Sequence, residues 1–189
     1  RTRQVLFVTA TDVTATQLNE SVRLFGVRAE LFLPRETPLT YVHAASGENR
    51  GARISALSAL LDGEPCVIAA SAAALMQTLA PKGAFANSQI TLHVGDTLEP
   101  RALIERLVSA GYERVEMVEG RGQCAARGDL VDVFAPGGEY PVRIEFFGDE
   151  IDQMRTFDAV SQRSVEQVQS VLIRPALETP QPRELTQKA

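Results

Sequence analysis

The chain has 189 residues, of which 44% are hydrophobic and 23% charged, a composition typical of a globular protein. It carries 19 Lys and Arg against 24 Asp and Glu. The net charge of −5 argues against a strong nucleic-acid binder, because phosphate contacts need an excess of basic residues. No apolar run is long enough to cross a bilayer, so we expect a cytoplasmic protein with no membrane contact. The first residue is Arg rather than Met, and we expect a piece of something longer.

The charges are unevenly distributed along the chain. Residues 1–86 contain 8 Lys and Arg and 7 Asp and Glu, whereas residues 87–175 contain 9 and 15. The second part is therefore an acidic surface that keeps a few isolated arginines. Such a surface suits a protein partner better than a phosphate backbone.

Two cysteines, Cys66 and Cys124, lie in apolar strand-like runs and form no CxxC pair. With only two histidines in the chain, no zinc-ligand spacing exists. We therefore expect two buried, reduced thiols and no bound metal.

The first 86 residues alternate short apolar runs with amphipathic segments. The apolar runs predict buried strands, and Ser, Thr or Gly at the segment ends predicts helix caps. The predicted order is strand 4–9, helix 12–26, strand 29–33, loop 34–49, helix 50–63, strand 65–70 and helix 71–80. This order predicts a parallel α/β layer, and the layer is incomplete because three strands make a small sheet with no closing element.

A domain boundary is predicted at residues 81–88, PKGAFANS, which combine a helix breaker, a glycine and small polar residues. Residues 87–175 then predict a small α+β domain with a mostly antiparallel sheet and one helix over a face. The predicted order is strand 89–94, helix 99–111, strand 114–118, a central hairpin, strand 150–157, a turn or helix at 161–169 and an extended piece at 171–174. Residues 176–189 predict a linker or the start of a returning segment.

The central hairpin covers residues 126–147, ARGDLVDVFAPGGEYPVRIEFF. Its second strand alternates between two sets of residues. The apolar set, which we expect in the core, is Val142, Ile144 and Phe146. The other set, Arg143, Glu145 and Phe147, should face outward, and an exposed ring beside charges is typical of a partner-binding surface. In the alternative interpretation, Phe147 tucks under a neighbouring loop and Arg143 pairs with Glu145.

No motif predicts catalysis. Residues 120–125, GRGQCA, match the GxGxxA pattern, but nucleotide binding would need a helix to begin there and a β-rich run follows, so we predict a tight turn. The phosphate loop GxxxxGK followed by Ser or Thr is absent, and no Asp-Glu pair follows a strand as in a Walker B motif. Serines and histidines lack catalytic contexts. We expect no enzymatic activity and no cofactor in this chain.

Residues 127–164, RGDLVDVFAPGGEYPVRIEFFGDEIDQMRTFDAVSQRS, resemble a block shared by the UvrB/Mfd family. The likeness is strong over residues 110–175 and weaker before. It implies a domain that docks onto UvrA through the arginine of the RG pair, the arginine of RIEFF and the second phenylalanine, which here are Arg127, Arg143 and Phe147. The two guanidinium groups would pair with carboxylates on UvrA while the ring fills an apolar recess. In the alternative interpretation, Arg127 does not bind a partner and forms an ordinary surface ion pair with Asp129 or Glu145.

The first half resembles part of the helicase-like domain of the same family, at TATD and AASAAAL. UvrB carries a long tyrosine-rich hairpin after the second strand, but residues 34–49 contain a single tyrosine, Tyr41, and leave no room for it. The resemblance therefore favours the Mfd branch, the transcription-repair coupling factors. It implies a parent that is an ATP-driven translocase, with ATP and magnesium in a motor region missing here. Other regions of that parent would contact DNA and displace stalled RNA polymerase. The alternatives are a fragment of the damage-binding helicase UvrB and, more remotely, a nucleotide-dependent enzyme of unknown reaction.

Overall fold

The computed structural model describes residues 3–35 and 45–178. Two compact units divide the chain, Arg1–Leu79 and Ala80–Ala189. The segment predicted as a boundary, residues 81–88, contains a short helix, α4 (Lys82–Ala86), whose Phe85 is buried. Tyr41 and residues 179–189 of the predicted linker lie outside the described residues, and the domain limits stay a prediction.

The first unit is built on a three-stranded parallel sheet, as the alternation of strands and helices predicted. Its elements are β1 (Gln4–Thr9), α1 (Asp12–Leu24), β2 (Ala29–Phe32), α2 (Ala45–Asp62), β3 (Cys66–Ser71) and α3 (Ala72–Leu75). The Thr11 hydroxyl accepts a hydrogen bond from the backbone N–H of Thr14 and so caps α1. Two predicted helix limits were wrong: α2 begins five residues before Arg50, and α3 ends at Leu75 rather than at residue 80.

The prediction of β1 as a buried strand was also wrong. The sheet order is β1-β3-β2, so β1 lies at an edge, and its apolar residues at positions 5–8 are 40–56% exposed. An apolar run predicts a strand from its composition, but its burial depends on which elements cover it. The core of this unit lies instead between β3, β2 and α2, around Phe32, Ala56 and Ile68.

The second unit is a mostly antiparallel sheet with one helix over a face, which confirms the predicted fold class. The six-stranded sheet has the order β10-β9-β8-β7-β6-β5, in which only β5 and β6 are parallel. Its strands are β5 (Glu113–Arg114), β6 (Gln123–Arg127), β7 (Leu130–Phe134), β8 (Val142–Phe147), β9 (Glu150–Phe157) and β10 (Ser164–Val168). A separate two-stranded pair joins β4 (Ile90–His93) and β11 (Ser170–Ile173).

Helix α5 (Pro100–Ser109) covers one face of this sheet. Proline suits the first turn of a helix because its fixed φ is helical and its missing N–H would have no intrahelical partner there. The buried side of α5 presents Leu103, Ile104 and Leu107 to the core. Burying each such side chain contributes about 1.5–3 kcal/mol, so this face holds the sheet in place. Cys124 lies in the same core, and both Cys66 and Cys124 are buried and unpaired, as predicted.

Three local predictions in this unit need correction. The strand predicted at residues 114–118 is limited to β5 (Glu113–Arg114). Residues 164–168 form the strand β10, not a turn or helix. The central hairpin was predicted to begin at residue 126, whereas Arg127 ends β6 and faces Leu130, the first residue of β7, across the two-residue turn Gly128–Asp129. Gly128 has φ +59°, a left-handed conformation that suits glycine, and this turn splits what the sequence presents as one run.

Candidate protein-interaction site

The strand β8 alternates in burial as the sequence predicted. Val142, Ile144 and Phe146 are buried, while Phe147 is 83% exposed and Phe146 only 6%. Phe147 is the last residue of β8 and pairs with Glu150 across the turn formed by residues 148–149. A fully apolar ring exposed at a strand end contributes little to the core, and so it is available to a partner. The alternative in which a loop covers Phe147 is wrong.

Arg143 lies on the same face as Phe147, but its side chain is only 12% exposed. Its Nε donates to Asp132 Oδ1 at 2.7 Å and its Nη2 donates to Asp132 Oδ2 at 2.8 Å. The same Nη2 donates to Gln162 Oε1 at 3.1 Å, and the ring of Phe157 lies 4.5 Å from the guanidinium carbon. Hydrogen bonding to the Asp132 carboxylate raises the pKa of Arg143 above its ordinary value. Arg143 is therefore held by the protein itself.

The expected pair between Arg143 and Glu145 does not form. The carboxylate of Glu145 instead accepts a hydrogen bond from Gln153 Nε2 at 2.8 Å and forms an ion pair with Arg155 at 2.5 Å. Both partners come from β9, the strand next to β8. Gln153 lies directly opposite Glu145, and the long side chain of Arg155 reaches Glu145 diagonally, while Asp132 already holds the guanidinium of Arg143.

Arg127 contacts the same carboxylate as Arg143. Its Nη2 lies 3.1 Å from Asp132 Oδ2, and its side chain is 47% exposed. The predicted surface pairs of Arg127 with Asp129 or Glu145 are thus replaced by a pair with Asp132, which is 2% exposed. One buried carboxylate holds both arginines.

Asp132 was missed in the sequence, although a signal was present. It lies in the middle of the apolar run LVDVF, where a carboxylate can only be buried if cations or hydrogen-bond donors meet it. Strand pairing supplies these cations. Asp132 lies opposite Arg143 in the β7–β8 ladder, and in the β6–β7 ladder it lies opposite Ala125, two residues before Arg127.

The register brings the three predicted residues onto one face of the sheet. Arg127 lies opposite Leu130, and Leu130 lies opposite Glu145, two residues before Phe147. Strands β6 and β8 are about 10 Å apart, twice the usual strand spacing. We call Arg127, Arg143 and Phe147 the arginine–phenylalanine patch. Its outer parts are the half-exposed Arg127 and the exposed Phe147, whereas Arg143, four residues before Phe147 on β8, is recessed.

The loop after β9 closes over Arg143. Gln162 has φ +58°, the one non-glycine residue with a left-handed backbone among the described residues, and strain of this kind marks positions that their surroundings hold in place. Its Nε2 donates to the carbonyl of Ala159 at 2.8 Å while its Oε1 accepts from Arg143. The Asp158 carboxylate accepts from the backbone N–H and the hydroxyl of Ser161, both at 2.7 Å, and these bonds lower the pKa of Asp158.

The structure also shows which conformation residues 120–125, which match the nucleotide-loop pattern, adopt. Gly122 has φ +82° in a turn, and β6 begins at the next residue. The predicted tight turn is confirmed, and no helix starts at this point to meet a pyrophosphate.

Comparison with known proteins identifies the family model and the relatives that this chain resembles. Residues 90–178 match the family model of the UvrB interaction domain. The chain is similar to the transcription-repair-coupling factors of Bacillus subtilis, at 36% identity over 167 residues, and of Mycobacterium bovis, at 38% over 173 residues. These alignments cover 88% and 87% of this chain but only 14% of each relative. The Escherichia coli relative is 42% identical over 106 residues, 56% of this chain and 9% of that protein. Residues 90–178 are thus similar to the UvrB interaction domain, and the chain as a whole is similar to a small part of the transcription-repair-coupling factors.

Proposed function

We propose that this chain is the segment of a transcription-repair coupling factor that recruits UvrA in nucleotide excision repair. The observation that carries the proposal is the exposure of Phe147, 83%, on the domain that matches the UvrB interaction model. Isolated large rings are costly to leave in water, and aromatic residues and arginines dominate the binding energy of protein interfaces. The names of the relatives support this branch over a UvrB fragment.

The chemistry of the patch defines what UvrA must present. Phe147 needs an apolar recess, and Arg127 needs a carboxylate at the recess edge, since its guanidinium is half exposed. Arg143 reaches the partner less directly because Asp132 and Gln162 already accept from its Nε and Nη2. The contact is therefore anchored by one ring and one charge.

The remaining activities belong to the parent. An ATP-dependent translocase that contacts DNA and displaces RNA polymerase would carry its ATP and magnesium site elsewhere, because the phosphate loop is missing from this sequence. We propose that the chain alone neither binds nor hydrolyses ATP and binds UvrA without nucleotide. A cytoplasmic location follows from these roles.

Calorimetric titration of the 189-residue chain with purified bacterial UvrA tests the proposal. We expect saturable one-site binding, unchanged when ATP and magnesium are left out. A parallel titration with ATP and magnesium alone should give no heat of binding. Absence of UvrA binding by the folded chain would refute the recruiting role, and saturable ATP binding would favour the nucleotide-dependent alternative.

A further inference from the structure

Asp132 is the most deeply buried charged group on the patch face. Its strand neighbours Val131 and Val133 point into the opposite, apolar core, and Asp132 itself is 2% exposed. A carboxylate in such a place is tolerated only when its oxygens are satisfied. Oδ1 accepts from Arg143 Nε, and Oδ2 accepts from Nη2 of both Arg143 and Arg127.

The two arginines use this carboxylate differently. Arg143 spends two of its nitrogens in a bidentate pair and is 12% exposed. Arg127 gives one nitrogen to Oδ2 and keeps 47% of its side chain exposed. Arg143 therefore fixes the carboxylate, and the carboxylate in turn fixes Arg127 with its outer edge toward solvent.

We propose that Asp132 is a positioning residue for partner binding, which acts through Arg127. This inference rests on the proposed function of the patch. A free arginine side chain samples many rotamers, and a partner that immobilises it loses affinity accordingly. Because Asp132 has already oriented the Arg127 guanidinium, that loss is avoided. The affinity for UvrA should then be about three- to tenfold higher than that of a chain whose Arg127 side chain is free to rotate.

An opposing effect has the same origin. Asp132 neutralises part of the charge that a carboxylate on UvrA would meet, and this would weaken binding. Screening by bulk water reduces that effect at the half-exposed Arg127, whereas the fixed orientation persists. Removing the Asp132 charge should therefore weaken binding.

The test is a double-mutant cycle on the 189-residue chain, with UvrA affinity measured by calorimetry. Asp132→Asn keeps the shape of the side chain and removes its charge, and Arg127→Ala removes the group through which it acts. We expect Asp132→Asn to weaken binding about three- to tenfold in the natural chain and less than about twofold in the Arg127→Ala background. Asp129→Asn is the matched control, because Asp129 is exposed in the turn beside Arg127 and its loss changes the net charge equally. This control should leave the affinity within about twofold.

Each outcome decides the inference. Tighter binding by Asp132→Asn, an equal effect in both backgrounds, or an equal effect of Asp129→Asn would overturn it while leaving UvrA recruitment intact. A natural chain that fails to bind UvrA would overturn the proposed function, and the inference with it. Thermal melts establish that each variant is folded. Should Asp132→Asn unfold, Arg127→Lys tests the same claim, since lysine keeps the charge without the planar guanidinium that Asp132 orients. It should weaken binding about three- to tenfold, and unchanged affinity would overturn the inference.

Discussion

Asp132 and Arg143 lie directly opposite each other on β7 and β8, and two parallel hydrogen bonds of 2.7 and 2.8 Å join the carboxylate to the guanidinium. Bidentate pairs of this kind are the strongest hydrogen-bonded ion pairs in proteins. Their burial makes each partner depend on the other, because a lone charge left in the interior is far costlier than a satisfied pair. Arg143 therefore stabilises the fold as well as the patch.

Arg143→Ala should lower the free energy of unfolding by about 2–3 kcal/mol, since it leaves the Asp132 carboxylate with Arg127 alone. Arg127→Ala should cost less than about 1 kcal/mol, because Arg127 is half exposed and Arg143 still satisfies Asp132. Urea unfolding of both variants measures the difference. Two small and equal losses would show that the Asp132–Arg143 pair contributes little to folding.

Strand alternation alone was sufficient to predict which residues of β8 lie on the patch face. The period of two is a local property, so Phe146 and Phe147 were assigned to opposite faces correctly. The exposure of Arg143 was not predictable in this way. It depends on Gln162 and Phe157, which are 19 and 14 residues away in sequence and reach Arg143 only after β9 has folded back.

The errors in the first unit also come from long-range contacts that no local pattern shows. Alternating strands and helices correctly predicted a parallel sheet, because a parallel pair needs a crossover helix. The run QVLFVT was expected to be a buried strand, yet β1 lies at an edge of the sheet and its residues at positions 5–8 are 40–56% exposed. Strand order is set by long-range pairing, and no local pattern in β1 distinguishes a central strand from an edge strand.

The loop that covers Arg143 should respond to acid. The hydrogen bonds from Ser161 favour the charged form of Asp158 and lower its pKa below the ordinary 3.8. The loop is therefore fully stabilised above pH 3.8 and loses this contribution as the pH falls through the lower, folded-state pKa. The Ser161 amide resonance, followed by NMR while the core amides stay native, should titrate with a midpoint below 3.8.

Asp158→Asn supplies the control for this titration, because the variant has no carboxyl group at that position. Its Ser161 resonance should not move over the same pH range. A midpoint at or above 3.8 in the natural chain would contradict the hydrogen-bonded geometry of the loop.

Limited proteolysis should separate the two compact units. The sequence predicted a domain boundary at residues 81–88, but α4 occupies most of that segment and Phe85 is buried. We therefore expect the first cut within residues 76–81, which lie outside helices and strands and include the 86% exposed Met76. Mass spectrometry of the fragments locates the cut. Early cleavage between residues 114 and 157 would contradict the assigned second unit.

The recruiting role is tested most directly by the UvrA affinity of Phe147→Ala, measured by calorimetry together with a thermal melt. Phe147 is exposed, so its truncation should cost less than about 1 kcal/mol of stability, while UvrA binding should weaken by about 2–4 kcal/mol, or 30-fold and more. Phe146→Ala is the matched control, since truncating this buried neighbour should lower the free energy of unfolding by about 3–5 kcal/mol. A folded Phe147→Ala chain that binds UvrA as tightly as the natural chain would contradict the account.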